Sequence, residues 1–305
     1  MLRALRKRWT RFFFEPAEPS NLGLCRILFF GALFLFYLPQ GFGAWGEVSD
    51  VFWMPITLFR IFHLPLLSGQ LLVTLQLIWK VSLALSCVGL FTRFSTMSSV
   101  ILGVYLLGLP HNFGKIHQID TVVVLCLGIM ALARCGDAYS LDRLFRRAGR
   151  VGLPSVERSR PSGEYTWPVH TVWLMFALVF FAAGVAKLRH SGFEWIFSDS
   201  MAITLIYHHY YFSNAEPWVP LGLHLAQYGW LTRLFAASTV VIEVGYPLAL
   251  FSRKARWIFV PSMVLMLVGI RALMGPTFVP QYLICHVFWV PWDRVRLWLI
   301  RRFRQ

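Results

Sequence analysis

PVHTVWLMFALVFFAAGVAK, residues 168–187, decides the fold. Between Thr171 and Ala186 it carries no charged side chain. As a helix rising about 1.5 Å per residue, it covers the roughly 30 Å of a bilayer's hydrocarbon. Working outward, comparable apolar blocks fall at 21–38, 69–91, 95–113, 116–134, 229–251 and 257–275, with a shorter one at 279–292. The expectation is an all-α membrane protein, a polytopic bundle of about eight transmembrane helices with interfacial helices on its outer side.

Composition agrees. The chain has 305 residues, 57% hydrophobic and only 14% charged, where a soluble domain carries about 25% charged residues. Mean hydropathy is +0.59. The formal charge of +15 raises the question of nucleic acid. Its placement answers it, because the basic residues gather at the ends of the apolar blocks, as topology signals do. They do not interleave with aromatics along a soluble face. Twenty-one of the 29 Lys and Arg lie on the side shared with the N-terminus: five in 1–20, Arg93, seven in 134–167, three at 253–256 and five in 294–305. Only Arg60, Lys115, Lys187 and Arg189 lie opposite, and Arg26, Lys80, Arg233 and Arg271 fall within spans. Both termini are therefore expected in the cytoplasm. An even number of spans preserves the alternation.

The expected organisation is an amphipathic cytoplasmic lead-in (1–20), a membrane domain (21–293) and a basic cytoplasmic tail (294–305). The lead-in is long and basic and is broken by Pro16 and Pro19, so it reads as uncleaved rather than as a signal peptide. Two outer segments are too long for turns. Residues 39–68 hold Phe52, Phe59, Phe62, Trp45 and Trp53, and residues 188–228 hold His190, Trp195, His208, His209 and Trp218. Such mixtures suit interfacial or re-entrant helices, which together could roof a cavity. The five cysteines show no CxxC spacing and the nine histidines no ligand spacing, so no metal is expected.

Ionisable residues inside spans are costly and need a reason. Lys187 ends the run FFAAGVAKL (180–188), where Ala182, Ala183 and Gly184 permit close helix packing. A desolvated amine there could serve as a general base, and a lysine snorkelling from a helix end is the competing reading. His117 and Asp120 share a helical face at the outer mouth of the 116–134 span. The carboxylate could orient the imidazole, or simply stand at a helix N-terminus. Glu243, within VVIEVGYPLALF, needs a partner, with Lys80, Arg26 or Arg271 available. A structural ion pair and a proton relay both fit it.

FFAAGVAKLRHSGFEWIFSDSMA (180–202) resembles the signature of the vitamin K-dependent γ-carboxylase family, whose bacterial members carry the horizontally transferred transmembrane (HTTM) domain. The matching residues are Ala183, Gly184, Val185, Lys187, Leu188, Trp195, Ser200 and Met201. HQIDTVVVLCLGIMALARCGDAYSLDRL (117–144) is similar to the family's histidine-led helix ending in Ser-Leu-Asp, and FEPAEPSNLGLCRILFFG (14–31) resembles its first span, Arg26 included. The resemblance implies an enzyme of a bacterial inner membrane that oxidises a reduced isoprenoid naphthoquinone, of vitamin K or menaquinol type, with O₂ to the epoxide. It implies Lys187 as the base, His117 as the assistant to the oxyanion, and CO₂ as co-substrate where glutamyl carboxylation is retained. The expected partners are a lipid quinol and membrane lipids, and no nucleic acid. Ala186 stands where the vertebrate motif has a second lysine. About a dozen residues follow the last expected span, so no counterpart of the carboxylases' large substrate-holding region is expected. A transporter and a non-catalytic membrane scaffold are the alternative readings.

Overall fold

The computed structural model describes residues 2–114, 118–148, 160–211, 217–276 and 279–303. Its helices are α1 (Leu2–Phe14), α2 (Pro19–Tyr37), α3 (Thr57–Ile61), α4 (Gly69–Val88), α5 (Thr92–Gly108), α6 (Gln118–Leu132), α7 (Leu141–Ala148) and α8 (Trp167–Ser191). They continue with α9 (Glu194–Phe197), α10 (Ser200–Tyr211), α11 (Gly222–Ala226), α12 (Gly229–Gly245), α13 (Leu248–Phe251), α14 (Arg253–Met274), α15 (Val279–Cys285) and α16 (Trp292–Arg302). Among the described residues there is no β-strand, only an isolated antiparallel bridge between Ala17 and Ser162. The protein is all-α.

Five described segments are long and apolar enough to cross a membrane: Pro19–Tyr37, Gly69–Val88, Thr92–Phe113, Gly163–Ser191 and Arg253–Met274. Their outward surfaces are apolar too. Leu35, Leu71, Phe94, Ile101 and Leu265 are all more than half exposed. Water would penalise such a surface, whereas lipid would accept it, so the helices are compatible with an integral membrane protein. The other three expected spans are shorter. Residues 118–132 form α6, and 229–251 is interrupted at Tyr246–Pro247. Residues 279–292 resolve into seven-residue α15 and a 3₁₀ turn over His286–Trp289, where Pro291 stops the chain from continuing as one helix.

The chain divides into two compact units, residues 1–171 with 290–305, and residues 172–289. In the first, α4 packs against α2 and α5, and α5 against α6. Glycine is required at the end of α4. Gly89 turns the chain at φ +70°, and a Cβ there would overlap the Arg26 guanidinium. Buried Arg26 donates to the carbonyls of Ser86 (3.3 Å) and Tyr139 (2.7 Å), joining α2 to the end of α4 and to the 139 turn. The Ser-Leu-Asp triplet is a cap. The Asp142 carboxylate accepts from the Phe91 and Thr92 amides (2.8 and 2.7 Å) and from the Thr92 hydroxyl (2.7 Å). Burial alone raises its pKa, but these donors outweigh burial and hold the carboxyl below its ordinary value.

In the second unit, α12 packs against α9, α10, α11 and α14. A Cβ at Gly245 would meet the Phe259 ring, and Arg256 Nε donates to the Ala249 carbonyl at 3.0 Å. The α12–α13 segment therefore runs antiparallel to α14. Trp173 stacks on Trp289 at 4.8 Å, with the Arg256 guanidinium 4.0 Å from the Trp173 centroid. Buried His286 bonds the Tyr282 carbonyl through Nδ1 (2.7 Å) and reaches the Tyr246 hydroxyl through Nε2 (3.4 Å).

Candidate functional site

Sequence reasoning leaves Lys187 as a solitary amine near a helix end. The structure gives it a carboxylate. Gly184 lies against α12 so closely that a Cβ would sit 2.8 Å from Val244 Cγ2 and 3.0 Å from Glu243 Cβ. One helical turn on, Lys187 Nζ donates to both Glu243 oxygens, at 2.8 and 2.7 Å. The glycine is what lets α8 and α12 approach to ion-pair distance.

Glu243 thus has a partner that sequence reasoning did not consider. The three candidates for it are engaged elsewhere. Lys80 Nζ donates to the carbonyls of Leu38 (2.9 Å) and Gln40 (2.7 Å), just beyond α2. Arg26 holds its two carbonyls, and the Arg271 guanidinium lies 5.0 Å from the Trp218 ring centre. Each of these cations meets backbone oxygens or an aromatic face on a neighbouring element.

The pair is well inside α14's length. With Gly245 against Phe259, Glu243 falls near the level of residue 261. That is eight residues, or roughly 12 Å, from Arg253, and thirteen residues, or roughly 20 Å, from Met274. A lysine four residues from the end of its own helix is therefore held away from both ends of a membrane-length one, which argues against simple snorkelling. The side chains are 22% (Lys187) and 7% (Glu243) exposed.

Trp195 completes the group. Helix α9 packs on α12 and brings the indole to where Lys187 Nζ lies 5.7 Å from the ring centroid. The indole Nε1 is buried and finds no acceptor among the described residues. A buried donor left so costs about 1–3 kcal/mol. Lys187 Nζ has no acceptor among the described residues other than the two Glu243 oxygens, and its side chain keeps partial access to its surroundings.

The remaining expected site residues fall in the first unit. Asp120 pairs with His111 at 3.0 Å, and the expected His117 lies outside the described residues. A 3₁₀ turn at Leu109–Phe113, capped by Gly114 at φ +85°, brings His111 back to the carboxylate. The spacing of nine residues gives no helical-face signal for this pair. Arg26 is the strut described above. A cleft of about 1200 Å³ is lined by residues including Phe91, Arg93, Phe94, Arg134 and Asp142. None of Lys187, Trp195 and Glu243 lines it. Its charged groups are engaged within the protein, Arg134 with Asp137 (3.1 Å) and Glu164 (3.0 Å), Arg93 with the Ala131 carbonyl (3.2 Å) and Asp142 with Phe91 and Thr92, so it reads as a structural network. Among the described residues no group of three or more His, Cys, Asp or Glu could hold a metal ion.

An ion pair and a neutral amine–acid pair differ only by one proton's position along the same contact. Lys187 and Glu243 can therefore relay a proton with little movement of heavy atoms. Compared with known proteins, the chain matches no family model, no curated protein and no solved structure.

Proposed function

We propose that this chain is an integral membrane enzyme of γ-carboxylase type that oxidises a lipid naphthoquinol with O₂, using Lys187 and Glu243 as a two-residue base. The observation that carries the reading is the bidentate Lys187–Glu243 contact beside an unsatisfied indole N–H. The quinol hydroxyl gives its proton to Lys187 as Lys187 passes one to Glu243, leaving a naphtholate beside an ammonium. O₂ then adds to the ring. One oxygen atom remains as the epoxide, and the other leaves as hydroxide and regains the proton from Glu243 as water. Overall, quinol and O₂ give quinone epoxide and water. His117 takes the oxyanion-assisting role that the sequence resemblance implies. The reading includes eight spans, with 118–132, 229–251 and 279–292 completing the five long ones, both termini in the cytoplasm, and residence in a bacterial inner membrane. Glutamyl carboxylation with CO₂ is an optional extension of the same chemistry.

The test is quinol-dependent O₂ uptake by protein purified into nanodiscs. Wild type is expected to consume oxygen, and Lys187→Ala and Glu243→Gln to lose most of that activity, on the order of 10²-fold or more for loss of a general base. A wild type inert towards every naphthoquinol removes the enzymatic reading.

One observation favours a second reading, a proton-coupled transporter. Helix α12 ends two residues after Glu243 and the chain resumes as α13, a discontinuous element beside a charged pair inside the bundle. Substrate flux into proteoliposomes that Glu243→Gln abolishes, without quinol-dependent O₂ uptake, would select it.

A further inference from the structure

The network in the first unit's cleft engages its acids and leaves two of its cations without a counter-charge. Asp137 accepts from Arg134 Nε (3.1 Å) and the Tyr165 hydroxyl (2.9 Å), and Glu164 accepts from Arg134 Nη1 (3.0 Å). Asp142 is held at the start of α5 by its three donors. Arg93 meets only the carbonyls of Ala131 (3.2 Å) and Leu132 (3.4 Å), both through Nη1. Arg146 meets only the Asp142 carbonyl, through Nε at 3.2 Å. A neutral carbonyl fixes a guanidinium without cancelling its charge. Both residues are exposed, and neither makes an ion pair among the described residues. Asp142 links them, because its carboxylate holds the amides next to Arg93 and its carbonyl holds Arg146. One short stretch of chain thus sets both cations in the lining of a single cleft of about 1200 Å³.

Helix α5 begins at Thr92 and α6 ends at Leu132, so the cleft lies at the ends of two apolar helices, where a spanning helix meets headgroups. Phe91, Phe94 and Leu132 line it and are each more than half exposed, an apolar wall beside the two guanidiniums. Phe14, which also lines it, shares a second recess with Arg6, Lys7, Arg8 and Arg11 of α1, so further positive charge adjoins the cleft. We infer that the cleft binds one anionic phospholipid of the surrounding membrane. Arg93 and Arg146 donate to its phosphate, and Phe91, Phe94 and Leu132 receive the upper part of an acyl chain. A guanidinium suits phosphate because it presents several N–H groups in a fixed planar fork. Basic pockets beside spanning helices at headgroup depth select anionic lipids for the same reason. A zwitterionic lipid offers the same chains and phosphate but carries a cation of its own towards the two arginines. The inference rests on these helices lying in a bilayer and is independent of the quinol reading.

The experiment titrates the full chain, delipidated in detergent, with dioleoylphosphatidylglycerol and with dioleoylphosphatidylcholine, and reads bound lipid by native mass spectrometry. Wild type is expected to prefer the glycerol lipid by about 10-fold or more, since each basic residue near a headgroup gives about fivefold. Arg93→Gln with Arg146→Gln should bring the preference to about 2-fold or less, with binding of the choline lipid unchanged. Both side chains are exposed, so this variant should melt with wild type in detergent alone. If it does not, the single substitutions carry the test, each removing about 3-fold or more of the preference. Arg301→Gln with Arg302→Gln removes the same charge from α16, outside the cleft, and should leave the preference intact. Phe94→Gln should weaken both lipids alike. The inference is overturned if wild type shows no preference, if the preference survives in the cleft variants, or if it falls as far in the α16 variant, which would make the attraction one of overall charge. Binding of both lipids unchanged by Phe94→Gln removes the acyl-chain wall. Inorganic phosphate at the same concentration should not displace the glycerol lipid; displacement makes the cleft a site for a free anion and overturns the lipid assignment.

Discussion

Replacing Glu243 by Gln tests whether the Lys187 pair is as desolvated as its surroundings require. The substitution keeps the side chain's shape but leaves an ammonium without its counter-charge. Breaking one side of a fully buried pair costs about 3–5 kcal/mol. Lys187 keeps 22% of its side-chain surface exposed and Glu243 only 7%. Partial access relieves some of the stranded charge, so about 2–3 kcal/mol is expected here. In a chain of this size that lowers the melting temperature by roughly 4–8 °C. The double replacement Lys187→Met with Glu243→Leu removes both charges, fills the space with apolar atoms, and should return to within about 1 kcal/mol of wild type. With the single variants Lys187→Met and Glu243→Leu completing the cycle, the pairwise coupling is about 2 kcal/mol or more. Thermal unfolding in detergent, followed by tryptophan fluorescence, reads all the variants. If Glu243→Gln melts with wild type and the cycle closes near zero, the pair is solvated, and the argument from its position along α14 is wrong.

Other outcomes follow from single contacts. Gly184→Ala should lose about 1–2 kcal/mol and Gly184→Val more, because a Cβ 3.1 Å from the Val244 amide nitrogen forces α8 off α12. Melting temperatures of the two variants check this, and equal stability of both with wild type contradicts it. Asp142 has a folded-state pKa below its ordinary value of 3.8, so its contribution is full above that value and disappears as pH falls through the lower one. Asp142→Asn should therefore be less stable than wild type near neutrality, with the gap closing below about pH 4; a gap that widens in acid reverses the sign and refutes the capping account. His111→Ala should lower the melting temperature by a few degrees, since it takes the imidazole from an Asp120 side chain only 6% exposed. A neutral result there means that Asp120 depends on its other contacts.

What residue order alone determines is the class of fold. Uninterrupted apolar runs such as 171–186 can satisfy their backbone only as helices, so the all-α architecture and the long helices α2, α4, α5, α8 and α14 are legible without coordinates. Close packing at Gly184 and the need for a partner at Glu243 are legible too, because a small residue and a charge inside an apolar run each have few physical uses. Which partner Glu243 takes is not. Lys187 lies 56 positions away, and periodicity carries no information about which face of one helix meets another. The His111–Asp120 pair is hidden for a related reason, since an irregular 3₁₀ turn and not helical spacing brings the two together. The break in 229–251 and the short helix of 279–292 were likewise settled by packing and by Pro247 and Pro291, which hydropathy averages over. Local chemistry sets what each segment can be. Only the crossing of α8 and α12 decides that one amine and one carboxylate, each costly alone in an apolar bundle, are held together there.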